Sequence, residues 1–364
     1  MDVLLNLLLF APLGLGLGLL RVSRPRAGVL IFLATGTIEL LQATVIVGRD
    51  ASLSDLLTNS TGGLAGYWLA GHWPALVLPG VMASRRLAWA SLGSWLVLWV
   101  LTATLLGLSP PALPWWSQVA PRGVTPADYP GRVQRVTVNG QAVFEGRMTA
   151  PNAILDGLAA DTAVIDVVTI AGGTTEDLAS IFIVYNQGEE EAILLGQNGS
   201  DLVFRERRRA ADARLRGPVI ALTGAMGRPG DTLALRAVIR GPSLFLRAVD
   251  GSDTVQDSLR LTASVGWVLL LPGFFGLGSM ARIGSSAWLL GTLFPAGYWA
   301  RRAGLWNGPG GRTWWLAAGC AVLMGLWGTA LFWNAAPASP LEALAAAAGL
   351  AVGAAVAWPA PGVP

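Results

Sequence analysis

Five polar side chains crowd one stretch of an otherwise apolar region. In ELLQATVIVGRDASLSDLLTNSTGGLAG, residues 39–66, Glu39, Gln42, Arg49, Asp55 and Asn59 are followed by Gly62, Gly63 and Gly66. Polar and ionisable groups beside a bilayer are costly to bury, so such a cluster is a functional-site hypothesis by default. Arg49 suits a phosphate or carboxylate, which its planar fork grips through paired hydrogen bonds. Glu39 or Asp55 suits a general base in a desolvated pocket. In the structural alternative Arg49 pairs with Glu39 or Asp55 while Asn59 caps or bridges helices, which is how charges usually persist inside a membrane. The residues leave both readings open and assign no catalytic group.

The elements that must position this cluster belong to a membrane chain. Of 364 residues, 53% are hydrophobic and 13% charged, against roughly 25% charged in an ordinary soluble domain. Residues 110–260 hold 15 Arg and 17 acids, whereas residues 1–109 hold 6 Arg and 4 acids and residues 261–364 hold 4 Arg and 1 acid. The pI of 9.6 is therefore no footprint of a basic nucleic-acid-binding domain, and no nucleic-acid partner is expected. One cysteine, Cys320, allows no intrachain disulfide, and one histidine, His72, gives little support to a His-based metal site or a Ser–His–Asp arrangement. No P-loop, dinucleotide fingerprint or zinc-hydrolase motif occurs. No metal or cofactor is expected.

Four spans are expected in residues 1–109. The first, 3–20, carries Asn6, Pro12 and the GxxxG pair Gly14 and Gly18, which lets another helix approach closely. Arg21, Arg24 and Arg26 then mark a cytoplasmic loop by the positive-inside rule. The second span, 28–47, carries Glu39 and Gln42 on one face. The third, from about Leu56 to Ala83, opens with Asp55 and Asn59 spaced i, i+4 and holds the pair Gly62 and Gly66. Arg85 and Arg86 mark a second inner loop before the fourth span, 87–108. That alternation puts the chain outside the cytoplasm as it leaves the fourth span. Residues 110–130, rich in Pro and carrying Trp115 and Trp116, read as an extended exit linker.

From 131 to 260 the period changes. Short β-branched runs such as TAVIDVVTI, SIFIVYN and DTLALRAVI are separated by Gly, Asn, Asp and Pro, which predicts an all-β sandwich. Arg205, Arg207, Arg208 and Arg209 form a basic run there, read as a solvated hairpin loop or as a contact for anionic lipid or an acidic glycan. Residues 261–364 return to apolar segments: 261–280, 286–300, 313–333 and 340–358, the last with the pair Gly349 and Gly353. Segment 286–300 either crosses fully or re-enters. Trp115, Trp116, Trp299, Trp306, Trp314, Trp315 and Trp333 cluster near the expected span ends, as an aromatic belt would.

Residues 2–69 resemble the VanZ-like integral membrane family. The resemblance rests on Asp2-V-L-L-Asn6-L-L-L-Phe10-A-Pro12-L-Gly14, then Glu39-L-L-Gln42, Arg49, and Ser54-Asp55-L-L-T-Asn59-S-T-Gly62-Gly63-L-A-Gly66. The family has a span before its Asn–Phe–Pro–Gly stretch, and this chain begins at that stretch. The strand series and Leu244-F-L-R-A-V-Asp250-Gly251 are similar to a concanavalin A-like or laminin G-like sandwich. The resemblance implies a bacterial cytoplasmic-membrane protein with a cell-envelope theme, its founding member being associated with teicoplanin resistance.

The expected architecture is a membrane α-helical bundle of roughly eight spans in two blocks with an extracytoplasmic sandwich between them. Its partners are the lipid bilayer and a glycan, peptide or lipid headgroup of the envelope, bound through the sandwich or through Asn6, Glu39, Gln42, Arg49, Asp55 and Asn59. The alternative is an enzyme or transporter acting on a lipid-linked or cell-wall substrate.

Overall fold

The structure, a computed structural model, describes residues 2–44, 53–109, 115–143, 145–148, 156–157, 160–186, 188, 190–213, 215, 217–270, 276–277, 280–306 and 310–358. The chain forms two compact units. The first comprises Met1–Ala88, Trp299–Gly311 and Val356–Pro364, and the second Trp89–Tyr298 and Arg312–Ala355.

The first unit is built on α1 (Asp2–Leu19), α2 (Arg24–Thr44) and α3 (Leu53–Val77), with the opening turns of α4 (Val81–Leu105). Glycines set the spacing of α1 and α3. A Cβ at Gly14 would lie 1.7 Å from the Gly63 carbonyl oxygen, one at Gly62 would lie 2.2 Å from that of Leu7, and one at Gly66 would lie 1.9 Å from that of Ala11. Gly18 meets Ala70 in the same way. Residue numbers rise together along the contact, so the two helices run parallel. Only residues without a side chain permit backbones this close.

Helix α2 turns one narrow stripe inward: Ala27, Ile31, Thr35 and Glu39, spaced by four, are all buried. Ile31 packs against Gly63. The outer faces are apolar, with Leu8, Leu9, Phe32, Leu33, Leu40, Leu57 and Leu64 exposed. Tyr67 donates to the Val22 carbonyl, tying α3 to the α1–α2 turn. At the other end of the unit Trp299 Nε1 donates to Leu76 O, and the buried Arg302 donates to Pro79 O and Trp358 O.

The second unit holds two sheets. One has the order β13 (Gly276–Leu277), β9 (Val219–Leu222), β8 (Asp201–Glu206), β7 (Glu191–Asn198), β6 (Ala179–Asn186), β1 (Trp115–Val119) and β4 (Gly146–Arg147). The other runs β12 (Asp253–Arg260), β11 (Ser243–Asp250), β10 (Thr232–Arg240), β5 (Thr162–Ile170), β2 (Arg132–Val138) and β3 (Gln141–Ala142). All neighbours are antiparallel except β9 and β13. Alternation fixes the inner faces: Ala163, Ile165 and Val167 of β5 point inward with Leu233, Leu235, Leu244 and Leu246. They share one core with Ile181, Val184, Ile193, Phe204 and Ile220 of the other sheet. The β2–β3 connection is the two-residue turn Asn139-Gly140, with φ values of 51° and 78°. This left-handed pair suits the twist of a tight hairpin.

Three expectations change here. Residues 110–130 are more than a linker, because Trp115–Val119 forms β1 and pairs with β6, burying Trp115 in the core. Residues 261–280 are not a span: Ala263–Leu270 is a 3-10 helix whose Val265, Val268 and Leu269 join the sandwich core. An apolar run satisfies a protein core as well as a bilayer, and composition does not distinguish the two. With that segment removed, the eight-span count has no support. Among the described residues, two helices are long and apolar enough to cross a membrane, α4 and Gly311–Trp333.

The remaining helices are α5 (Met280–Arg302), continuous through Pro295, α6 (Gly311–Trp333) and α7 (Pro340–Val356). Helix α6 holds a π-helical turn at Met324–Gly328, where Trp95 presses on Gly325. Within the second unit α5 and α7 repeat the geometry of α1 and α3. A Cβ at Gly297 would lie 2.0 Å from Leu350 O, one at Gly349 would lie 2.7 Å from Leu290 O, and one at Gly353 would lie 2.1 Å from Phe294 O. This pair is parallel too. In sequence, Pro12 and Gly14 correspond to Pro295 and Gly297, and Asp55, Gly62 and Gly66 correspond to Glu342, Gly349 and Gly353.

Candidate functional site

The close approach of α1 and α3 positions the polar residues at their N-terminal ends. Because Gly62 admits the backbone of Leu7, the neighbouring Asn6 reaches Asp55: Asn6 Nδ2 donates to Asp55 Oδ1 at 2.8 Å, with Thr58 Oγ1 at 3.4 Å. Thr58 also donates to Asp55 O. Asn59, on the next position of α3, is 3% exposed. Its Oδ1 is buried and finds no hydrogen-bond partner among the described residues. Glu39 is buried on the inner stripe of α2. The Gln42 side chain and Arg49 lie outside what the structure describes.

Asp55 and Asn59 both offer oxygen acceptors. A buried acceptor left without a donor costs about 1–3 kcal/mol, a cost that a hydroxyl or amine donor brought to Asn59 Oδ1 would relieve. Thr58 and Ser60 complete the polar set and were not singled out by sequence reasoning. For Thr58 the signal was present, since it sits one turn before Gly62 on the face that meets α1, whereas Ser60 lies off that face. His72 stacks on Trp68 at 4.3 Å and stays exposed. No group of His, Cys, Asp and Glu suited to a metal occurs among the described residues.

The sandwich holds a second buried polar group. Glu206 and Arg208 form an ion pair, both buried, with Asp161 Oδ1 3.8 Å from Arg208. Asn334, the left-handed residue ending α6, donates to Asp161. Burial pushes the Glu206 carboxyl up to about 7; Arg208 pulls against this and Asp161 adds to it. The basic run is thus not a solvated loop. Arg205 pairs with Glu191, Arg207 with Glu190 and Asp212, and Arg208 is sealed inside. Trp314, expected in an interfacial belt, is also fully buried, packed edge-on against Trp89.

A parallel, glycine-cradled helix pair with a polar end, flanked by apolar exteriors, defines a small membrane-type helical module. Residues 1–74 match the family model described as VanZ/LLP1, so this stretch is VanZ-like. No curated protein and no solved structure matches the chain. The family match covers none of the sandwich, which stands as an all-β sandwich without a concanavalin A-like or laminin G-like assignment.

Proposed function

We propose that the chain is a multi-pass protein of the bacterial cytoplasmic membrane that binds a donor-rich envelope ligand, a glycan or its amine-bearing headgroup, at the polar end of α1 and α3. The observation that carries this reading is the inverted polarity of the first unit. Leucines and phenylalanine face outward while Asn6, Thr35, Glu39, Asp55 and Asn59 face inward or toward one another. Water would drive that arrangement the other way, and hydrocarbon favours it. The sandwich lies outside the cytoplasm and presents a second recognition surface, as the laminin G-like similarity of its strand series suggests. The VanZ-like stretch at residues 1–74 supports a contribution to glycopeptide tolerance.

The experiment is a thermal-shift series on the full chain in detergent with N-acetylglucosamine oligomers, muramyl peptides and soluble lipid II fragments. Asn59→Leu is expected to keep or raise the melting temperature, because it removes an unsatisfied buried acceptor, and to abolish the ligand shift. A ligand shift that survives Asn59→Leu overturns the assignment of the site. In a Cys320→Ser background, Ser252→Cys in the β11–β12 turn should react with an impermeant maleimide on intact cells. Protection from it overturns the external placement.

A further inference from the structure

The polar end of the second helix pair adjoins a cavity. A cavity of about 470 Å³ lies in the second unit, between the end of β12, the first turns of α5 and the start of α7. Arg260, Arg282, Ser286, Leu341 and Glu342 are among the residues lining it. Glu342 is committed elsewhere. Its Oε1 accepts from Thr262 and Ser264, its Oε2 accepts from the Ser339 amide, and Ser339 Oγ accepts from the Glu342 amide. That reciprocal pair is a capping box, and it closes the N-terminus of α7.

The guanidinium groups are differently placed. Arg260 spends one donor on Pro337 O. Among the described residues, neither Arg260 nor Arg282 has a carboxylate partner. Two fork-shaped cations facing one cavity beside the N-terminal end of α5 favour a tetrahedral oxyanion. The lining also holds an apolar side chain, Leu341, which is 53% exposed. Two exposed guanidiniums at the cavity with the apolar Leu341 beside them fit an anionic headgroup whose chain stays in hydrocarbon.

We propose that this cavity binds the phosphate headgroup of an anionic amphiphile, held by Arg260 and Arg282 with its hydrocarbon chain against Leu341. The proposal rests on the membrane reading above. It also separates the two helix pairs by chemistry, one end offering acceptors and the other cations.

The test uses the full chain in a neutral detergent, with binding of dodecyl phosphate and of inorganic phosphate measured by native mass spectrometry and by melting temperature. Dodecyl phosphate should bind at least about tenfold tighter than inorganic phosphate. Arg282→Gln should weaken it by about tenfold, Arg260→Gln should do likewise, and Arg282→Lys should restore part of the loss. Equal affinity for the two probes, or wild-type affinity in both Gln variants, overturns the proposal. Carbonate extraction of native membranes tests the membrane reading separately. Release of the chain by carbonate with dodecyl phosphate binding intact in detergent sinks that reading and leaves the phosphate site standing.

Discussion

Asp55 and Glu342 each stand seven residues before one glycine and eleven before a second, and each begins the later helix of a parallel pair. The pairs differ in what surrounds the acid. Asp55 accepts from an amide on the facing helix, with Asn59 buried beside it and its oxygen unpaired among the described residues. Glu342 is saturated by two hydroxyls and its own helix terminus, and the position equivalent to Asn59 is Ala346, fully buried. One scaffold therefore serves two purposes. In α1 and α3 the polar end keeps unspent hydrogen-bonding capacity. In α5 and α7 the acid works as a structural fastener to the sandwich, and a cavity has opened next to it.

The largest effect should come from filling the glycine contacts. Gly14→Leu and Gly297→Leu each push a side chain into a backbone carbonyl, and each should lose about 3 kcal/mol or more, read as lost monodisperse protein in detergent. Tolerance at Gly297 with collapse at Gly14 breaks the equivalence of the two pairs.

A pH series sharpens it. Glu206 titrates near 4.5 unfolded and about 7 folded, so the folded state binds the extra proton between those values. Its stability contribution is full below about 4.5 and is lost as pH rises through 7, a decline of roughly 3 kcal/mol. Melting of α5 and α7 should track that decline, because they share a compact unit with the sandwich. Melting of α1 and α3, monitored through a reporter on α1, should not.

A smaller difference separates the acids. Glu342→Ala removes a cap and strands two buried hydroxyls, for about 2 kcal/mol, whereas Asp55→Ala should lose about 1 kcal/mol. Differential scanning calorimetry at one pH gives both. Equal losses would mean that Asp55 is a fastener as well. The smallest change is a control in the sandwich: Gly140→Ala should destabilise by about 1 kcal/mol through its positive φ, with neither helix pair perturbed.

Much of this architecture was legible as pattern. Alternation in TAVIDVVTI marks a half-buried strand, and β5 runs over Thr162–Ile170 with every second residue buried. The spacing of Gly14, Gly18, Gly62 and Gly66 marks close helix contact, and the structure places a facing helix's backbone or side chain within 2.4 Å of a Cβ at each. Asn6 and Asp55 lie 49 residues apart and meet, a pairing that spacing alone does not specify. What escaped is what hydrophobicity leaves degenerate. Val265, Val268 and Leu269 look like a membrane span and are sandwich core. Arg208 looks like part of a surface charge run and is buried against Glu206. The equivalence of Asp55 and Glu342 lies in their common spacing to two glycines, and the close contacts of those glycines give that spacing its meaning.

Arg302 ties an early segment of the chain to a late one. Its guanidinium binds Pro79 O, made early in synthesis, and Trp358 O, made among the last residues of this sequence. Until Trp358 has left the ribosome, a buried cation lacks one of its two carbonyls, and a fragment that stops short of it never acquires that partner. Chains cut before Trp358 should therefore be cleaved faster by added protease than the full sequence, because a buried guanidinium is left with a single carbonyl.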